Sequence, residues 1–172
     1  MTTPARDRDP RPGAGAPDGY DPGAFPPFAV TVDLAVLTVA DGVLQLLLVE
    51  RDEPPFAGTW ALPGGFVDAV GDRTMEDAAL RELREETGIK VPEKVLRGSI
   101  VGNRVFDAPD RSQRGRTITH AFHIALEDGE WNLPRVKGSD DAARAKWIPI
   151  SKLNSEEIFE DHFDIIQYFL GK

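Results

Sequence analysis

Three glutamates close a short stretch with the means to hold a cation. Residues 64–89 read GGFVDAVGDRTMEDAALRELREETGI. Wound as a helix at about 100° per residue, residues 75–87 place Ala78, Glu82 and Glu86 in one row, with Glu85 beside it. Carboxylates on adjoining helical positions repel one another, so the cluster carries a cost unless a positive charge offsets it. One reading is a solvated face, with Arg81 and Arg84 forming ordinary surface pairs. The other is a hard-cation site, and two details favour it. The row begins apolar at Ala78, so the acids border the packed side of the helix. A Gly64-Gly65 turn stands just before it, where bare carbonyls could join the carboxylates. Oxygen-only ligation suits Mg²⁺, with Mn²⁺ as the alternative.

The elements that must position these residues are legible around them. Thr74 is a natural N-cap, Asp77 three residues on is placed to complete a capping box, and Gly88 suits the left-handed end of the helix. Upstream, 28–39 (FAVTVDLAVLTV) and 43–50 (VLQLLLVE) are β-rich runs joined at Asp41-Gly42, a strong hairpin signal. Arg51 follows the second run, residues 52–58 read as loop, and Trp60 leads into the glycine turn as a core or hinge residue. Downstream, 90–93 reads as a turn, 95–106 as a strand interrupted by Gly98 and Gly102, and 117–126 as another strand. Between these two strands lies DAPDRSQRGR, residues 107–116. Three of its arginines, Arg111, Arg114 and Arg116, either keep the loop soluble or fork onto phosphate. Ser139-Asp140-Asp141 either caps a short helix or brings a general base to the site. Residues 145–150 read as a short buried strand and 155–170 as an amphipathic helix, in which His162 is a packing or capping residue.

Composition narrows the field. The 172 residues are 41% hydrophobic, enough for one domain with a core, and contain no cysteine, which fits a reducing cytoplasm. The net charge of −9 argues against general nucleic-acid binding while leaving room for a small anionic substrate. Residues 1–27 hold seven of the 14 prolines and four glycines, and read as a disordered tail. No run has signal-peptide or membrane-spanning character.

Gly65 followed by Arg81-Glu82-Leu83-x-Glu85-Glu86-x-Gly88-Ile89 resembles the Nudix box, the signature of hydrolases acting on nucleoside diphosphates linked to another group. The first half of the box departs from that pattern. Position 73, eight before Arg81, is an arginine where the family has glutamate, and the loop from Gly65 is two residues longer. Asp72 is the candidate to replace the missing carboxylate as partner of Arg81. DEPPFAGTWALPGGF (52–66) is similar both to Nudix ADP-ribose pyrophosphatases and to Nudix-related regulators of NAD metabolism. The later segments VLRGSI (95–100), RGRTITHAF (114–122), KGSDDA (137–142) and FEDHF (159–163) discriminate, being similar to the Nudix domain of bifunctional nicotinamide mononucleotide adenylyltransferase/ADP-ribose pyrophosphatases. The adenylyltransferase half of those proteins has no counterpart in these residues, nor has the winged helix of the related regulators.

The resemblance implies an α/β fold, a Nudix-type α/β/α sandwich with a mixed sheet over 28–172, often dimeric, that cleaves ADP-ribose to AMP and ribose 5-phosphate. Carried onto this chain, Glu82, Glu85, Glu86 and the Gly64 carbonyl would hold Mg²⁺. Glu85, Asp140 or Asp141 would act in catalysis, and Arg51, Phe106, Arg111, Arg114 and Arg116 would contact a nucleotide substrate. Membrane and nucleic acid are not expected partners; a second copy of the chain is. The rival expectations are a silent ADP-ribose sensor and a hydrolase of another nucleotide, such as a dinucleoside polyphosphate or an oxidised nucleotide.

Overall fold

Asp41 and Gly42 both take left-handed backbone, with φ of 51° and 73°, and close a two-residue hairpin between β1 (Ala29–Ala40) and β2 (Val43–Glu50). The computed structural model describes residues 27–54, 56–127, 133–136 and 145–171, with Gly19, Asp21 and Ala24. Most of the expected tail, and both Asp140 and Asp141, lie outside the described residues.

β1 is the hub of a mixed seven-stranded sheet. From Ala29 to Leu37 it runs parallel to β6 (Thr117–Ala125), against which β5 (Ile100–Phe106) forms an antiparallel edge. With β2 it pairs only near the hairpin, Leu37 with Leu46 through Ala40 with Val43. Beyond Leu37 the two strands part, and residues 60–66 occupy the fork. β3 (Trp60–Ala61) pairs with β2, and β4 (Gly64–Phe66) then pairs with β1. The outer side of β2 carries β7 (Ala145–Pro149).

Alternation along β1 sends its side chains to two apolar layers. Val32, Leu34 and Val36 pack with Ala78, Leu80 and Leu83 of α1 (Met75–Thr87) and with Leu96 of α2 (Glu93–Gly98). Ala35 and Leu37 pack with Ile165 and Ile166 of α3 (His162–Phe169) on the other face. The result is the expected α/β/α sandwich. Asp33 falls in the second row, a buried carboxylate among apolar neighbours. No helix among the described residues is long and apolar enough to cross a membrane.

Three expectations need correction. Residues 95–98 belong to a helix, because Arg97 pairs with Glu93 one turn back and with Glu76 and Asp77 of α1, while Leu96 is buried. The amphipathic stretch 155–170 is broken. Ser155–Glu157 is a 3₁₀ turn, Ile158 bridges to Trp60, and Glu160 takes φ 44°, so α3 begins only at His162. β7 is half-buried at its apolar positions rather than buried. At the start of α1 the Thr74 hydroxyl accepts from Asp77 N–H as expected, but Asp77 turns its carboxylate to Arg97 instead of completing the box. Gly88, at φ 55°, ends the helix as anticipated.

Leu83 has no exposed surface and anchors α1 to the sheet. Leu83→Ala is expected to cost about 2–5 kcal/mol, the range for emptying such a site. Urea unfolding followed by circular dichroism measures it.

Candidate active site

The diglycine is squeezed between a strand and a helix. A Cβ on Gly64 would lie 2.1 Å from the Val32 carbonyl and 2.7 Å from Asp33 Oδ1, and one on Gly65 would lie 2.6 Å from the Glu82 carboxyl carbon. Only glycine allows β4 to pair with β1 while α1 presses its acids onto the turn. Gly64 N–H donates to Glu86 Oε2 at 2.9 Å. Burial, with the negative charges of Glu82 and Asp33 nearby, pushes the Glu86 carboxyl up to about 8, against the opposing pull of the Gly64 bond and of Arg51. Burial likewise raises Glu82, in part offset by Arg81.

Arg81 organises the rest of the acids. Its Nε and Nη2 donate to Asp72 at 2.9 and 2.7 Å, a two-pronged pair, and its Nη1 donates to Glu82 at 2.8 Å and Glu85 at 3.0 Å. Nη2 also reaches the Phe66 carbonyl at 3.2 Å. Asp72 therefore takes the place anticipated for it, and the longer loop still ends on the arginine. Arg73, at the departing position, points outward with its side chain 88% exposed and pairs loosely with Asp77.

An open cleft of about 200 Å³ runs beside the diglycine, lined by Gly64, Gly65 and Glu86 and also by Arg51, Arg114 and Phe159. Arg51 lies over the Phe159 ring at 4.2 Å and Arg114 over it at 5.4 Å. The Arg51 Nε is buried with no hydrogen-bond partner among the described residues. Two cations gathered on one aromatic ring, one with a donor unspent, make a place for an anion. Behind them Asp33 accepts from the Thr119 hydroxyl at 2.6 Å and lies 3.6 Å from His162 Nε2. His162 Nδ1 accepts from Leu62 N–H at 3.0 Å, and burial lowers its pKa.

The sequence candidates divide accordingly. Glu86, Gly64, Arg51, Arg114 and Arg111 line the cleft, and Glu82 packs against its glycine. Glu85 does not line it; its side chain is 59% exposed, pairs with Arg81 and borders a separate hollow with Asp72 and Arg84. Arg111 is 8% exposed and spends its guanidinium on Asp161, at 2.9 Å from both Nε and Nη2. Arg116 lies over Phe28, and Phe106 packs on Tyr168 and Phe169 beside a separate hollow. Asp33, Phe159, Glu160 and Asp161 are not among the sequence candidates, and His162 is there only as a packing or capping residue. A lone Asp inside an apolar strand was the available signal for the first, and the FEDHF segment for the others.

Family comparison agrees with this geometry. The NUDIX domain model matches residues 28–169. The chain belongs to the NUDIX family. The ADP-ribose pyrophosphatase of Methanocaldococcus jannaschii is 35% identical over 134 residues, 76% of this chain and 70% of its own. A bifunctional NMN adenylyltransferase/ADP ribose pyrophosphatase from Francisella tularensis, solved with AMP and an Mn ion, superposes with a TM-score of 0.75 at 37% identity. That match covers 86% of this chain but only 42% of the other. The NUDIX domain of Shewanella oneidensis NrtR, solved with ADP ribose, superposes with a TM-score of 0.74 at 28% identity, covering 89% of this chain and 93% of that domain.

For a NUDIX member a divalent ion is implied, and the donor set fits one. Glu82 and Glu86 are oxygen donors crowded beside a turn where an added Cβ would collide, and among the described residues Glu86 has no cationic partner in direct contact. No ready-made cluster of three or more acid ligands exists among the described residues, since Arg81 holds Glu82 and Glu85. Two carboxylates are still a normal complement for Mg²⁺, which keeps water and substrate phosphate in its shell.

The two glycines should therefore fail differently. Gly64→Ala meets backbone and is expected to lose about 1–3 kcal/mol of stability. Gly65→Ala meets only the end of a side chain, so its thermal midpoint should stay within about 2–4 °C while Glu82 is displaced. Mn²⁺ titration followed by electron paramagnetic resonance should then show weakened binding in Gly65→Ala. Asp72→Asn should melt earlier than wild type at pH 7. Arg81 holds the Asp72 carboxyl below its ordinary 3.8, so the pair's contribution is complete above that value and vanishes as the pH falls through the lowered one. The deficit should close in acid, and a constant gap down to pH 3 would contradict the pairing.

Proposed function

We propose that the protein is a pyrophosphohydrolase that cleaves ADP-ribose to AMP and ribose 5-phosphate in a divalent-metal-dependent reaction, with Mg²⁺ as the working ion and Mn²⁺ as a substitute. The observation that carries this reading is the cleft itself, which joins the diglycine and Glu86 to Arg51 and Arg114 in one space. The ADP-ribose pyrophosphatase relatives support the substrate.

Hydrolysis adds one water across the P–O–P link. Hydroxide goes to one phosphorus, and the proton ends on the medium or the released phosphate. A bound ion would offset the charge growing on the diphosphate and acidify the attacking water. Glu82 and Glu86 would hold that ion, with the Gly64 carbonyl as a further donor and Glu85 joining only on leaving Arg81; Gly64 N–H fixes the Glu86 carboxyl at the turn. Arg51 and Arg114 draw the phosphates into place, and the unspent Arg51 Nε donates to a phosphate oxygen. Glu85 and the aspartates at 140 and 141 are the candidates for taking the proton from water. Arg111 contributes by anchoring its loop through Asp161. The same reading includes a cytoplasmic homodimer, supported by the cysteine-free composition and the family resemblance; sedimentation tests the dimer.

A second reading has one specific support, the NrtR domain with ADP ribose that matches 93% of its own length. On that reading the chain binds ADP-ribose without cleaving it. Incubation with ADP-ribose and Mg²⁺, followed by chromatography for AMP, separates the two. Kinetic constants across ADP-ribose, a dinucleoside polyphosphate and an oxidised nucleotide rank the substrates. Glu82→Gln and Glu86→Gln are each expected to lower kcat about 10²- to 10³-fold, a few kcal/mol of transition-state stabilisation. Arg114→Ala should mainly raise KM, about tenfold. Small and equal losses in all three variants would overturn the assignment.

A further inference from the structure

Four consecutive residues, 159–162, each grip a different part of the cleft. Phe159 lies beneath Arg51 and Arg114, and its N–H donates to the Trp60 carbonyl at 2.8 Å. Asp161 holds Arg111, and His162 holds Leu62. Glu160 is the odd one. It takes φ 44°, a backbone region costly for a side chain of this kind, yet its carboxylate is 4% exposed and turned onto the arginine loop. Its Oε1 accepts from Ser112 Oγ at 3.1 Å and from Gln113 N–H at 2.9 Å. Ser112 Oγ in turn accepts from Arg114 Nε and from Arg114 N–H, both at 3.3 Å, and Glu160 Oε2 lies 3.7 Å from Arg114 Nη2.

We propose that Glu160 is a positioning residue for the diphosphate: through Ser112 it sets the Arg114 guanidinium over Phe159, beside Arg51. This rests on the cleft being the substrate site. The strain at Glu160 persists because the loop contacts over-determine it, and without them only ring contacts at 5.4 and 5.6 Å would hold Arg114, which is 40% exposed. The charge of Glu160 is not what matters here, since a bare negative charge beside a diphosphate opposes binding. The carboxylate serves as a buried acceptor.

The test compares Glu160→Ala, Glu160→Gln, Ser112→Ala and Arg114→Ala on ADP-ribose with Mg²⁺, with calorimetric titration of ADP-ribose alongside turnover. Glu160→Ala is expected to raise KM and Kd about tenfold while kcat stays within about threefold, the loss of an acceptor to a charged group's support. Glu160→Gln keeps an acceptor oxygen and should restore both constants to within about threefold of wild type. Adding Glu160→Ala to Arg114→Ala should cost little more than Arg114→Ala alone, because both act through one guanidinium. Should Glu160→Ala not fold, Ser112→Ala with Glu160→Gln decides, the first weakening binding and the second sparing it. Unchanged KM and Kd in Glu160→Ala and Ser112→Ala, equal losses in Glu160→Ala and Glu160→Gln, or full additivity with Arg114→Ala would each overturn the proposal. Wild-type protein that binds ADP-ribose but releases no AMP would sink the hydrolase reading and leave the Kd comparison standing as the test. Wild-type protein that does not bind it would sink both.

Discussion

β1 and β2 cannot both stay paired and make room for the glycine turn, and their parting beyond Leu37 is the constraint on which the site rests. A sheet tolerates such a fork only if the freed backbone groups find other partners. Residues 60–66 supply them, first to β2 and then to β1, with Leu34 N–H donating to the Pro63 carbonyl between. The price is steric. β4 must lie so close to β1, and α1 so close to β4, that a methyl group on Gly64 would strike the β1 backbone and one on Gly65 would displace the Glu82 carboxylate. The same closeness brings Glu82 and Glu86 to the turn, so the packing of the fork and the chemistry of the site are one arrangement.

Three of the acids at this turn share one arginine and the fourth takes a backbone N–H, which limits their mutual repulsion. Arg81 divides its donors among Asp72, Glu82 and Glu85, while Glu86 is left with a backbone N–H and a strongly raised pKa. An arginine suits that task because its fork can serve several carboxylates at once without losing its charge. Asp72 matters for where it anchors the arginine, and its side chain is almost fully enclosed. A loop two residues longer than the family pattern can thus end at the same ion pair, which explains why an arginine at position 73 is tolerated.

On the cationic side the means of assembly is aromatic. Phe159 offers one ring to two guanidiniums in an otherwise acidic protein, and the residues that follow it tether the arginine loop to the core. Arg111 and Arg114 stand three apart in one loop yet have separate tasks. The first is buried and spent on Asp161; the second is partly exposed, with its guanidinium over two rings.

What the chain determined by itself was everything set by neighbours within a few residues. The Asp41-Gly42 turn, the Thr74 cap, the Gly88 stop and the row of Glu82 and Glu86 depend on backbone preference and helical period, and each appears as read. Family resemblance extended that to the sandwich and to Asp72. Tertiary structure decided the rest, because the deciding contacts span the chain. Leu62 meets His162 across 100 positions, Asp33 meets Thr119 across 86, and Arg111 meets Asp161 across 50. Residues 95–98 became helix and 155–161 did not because Arg97 found α1 and Ile158 found Trp60. A local pattern records which conformations a segment prefers; it carries no record of the distant partner whose burial or charge settles the choice.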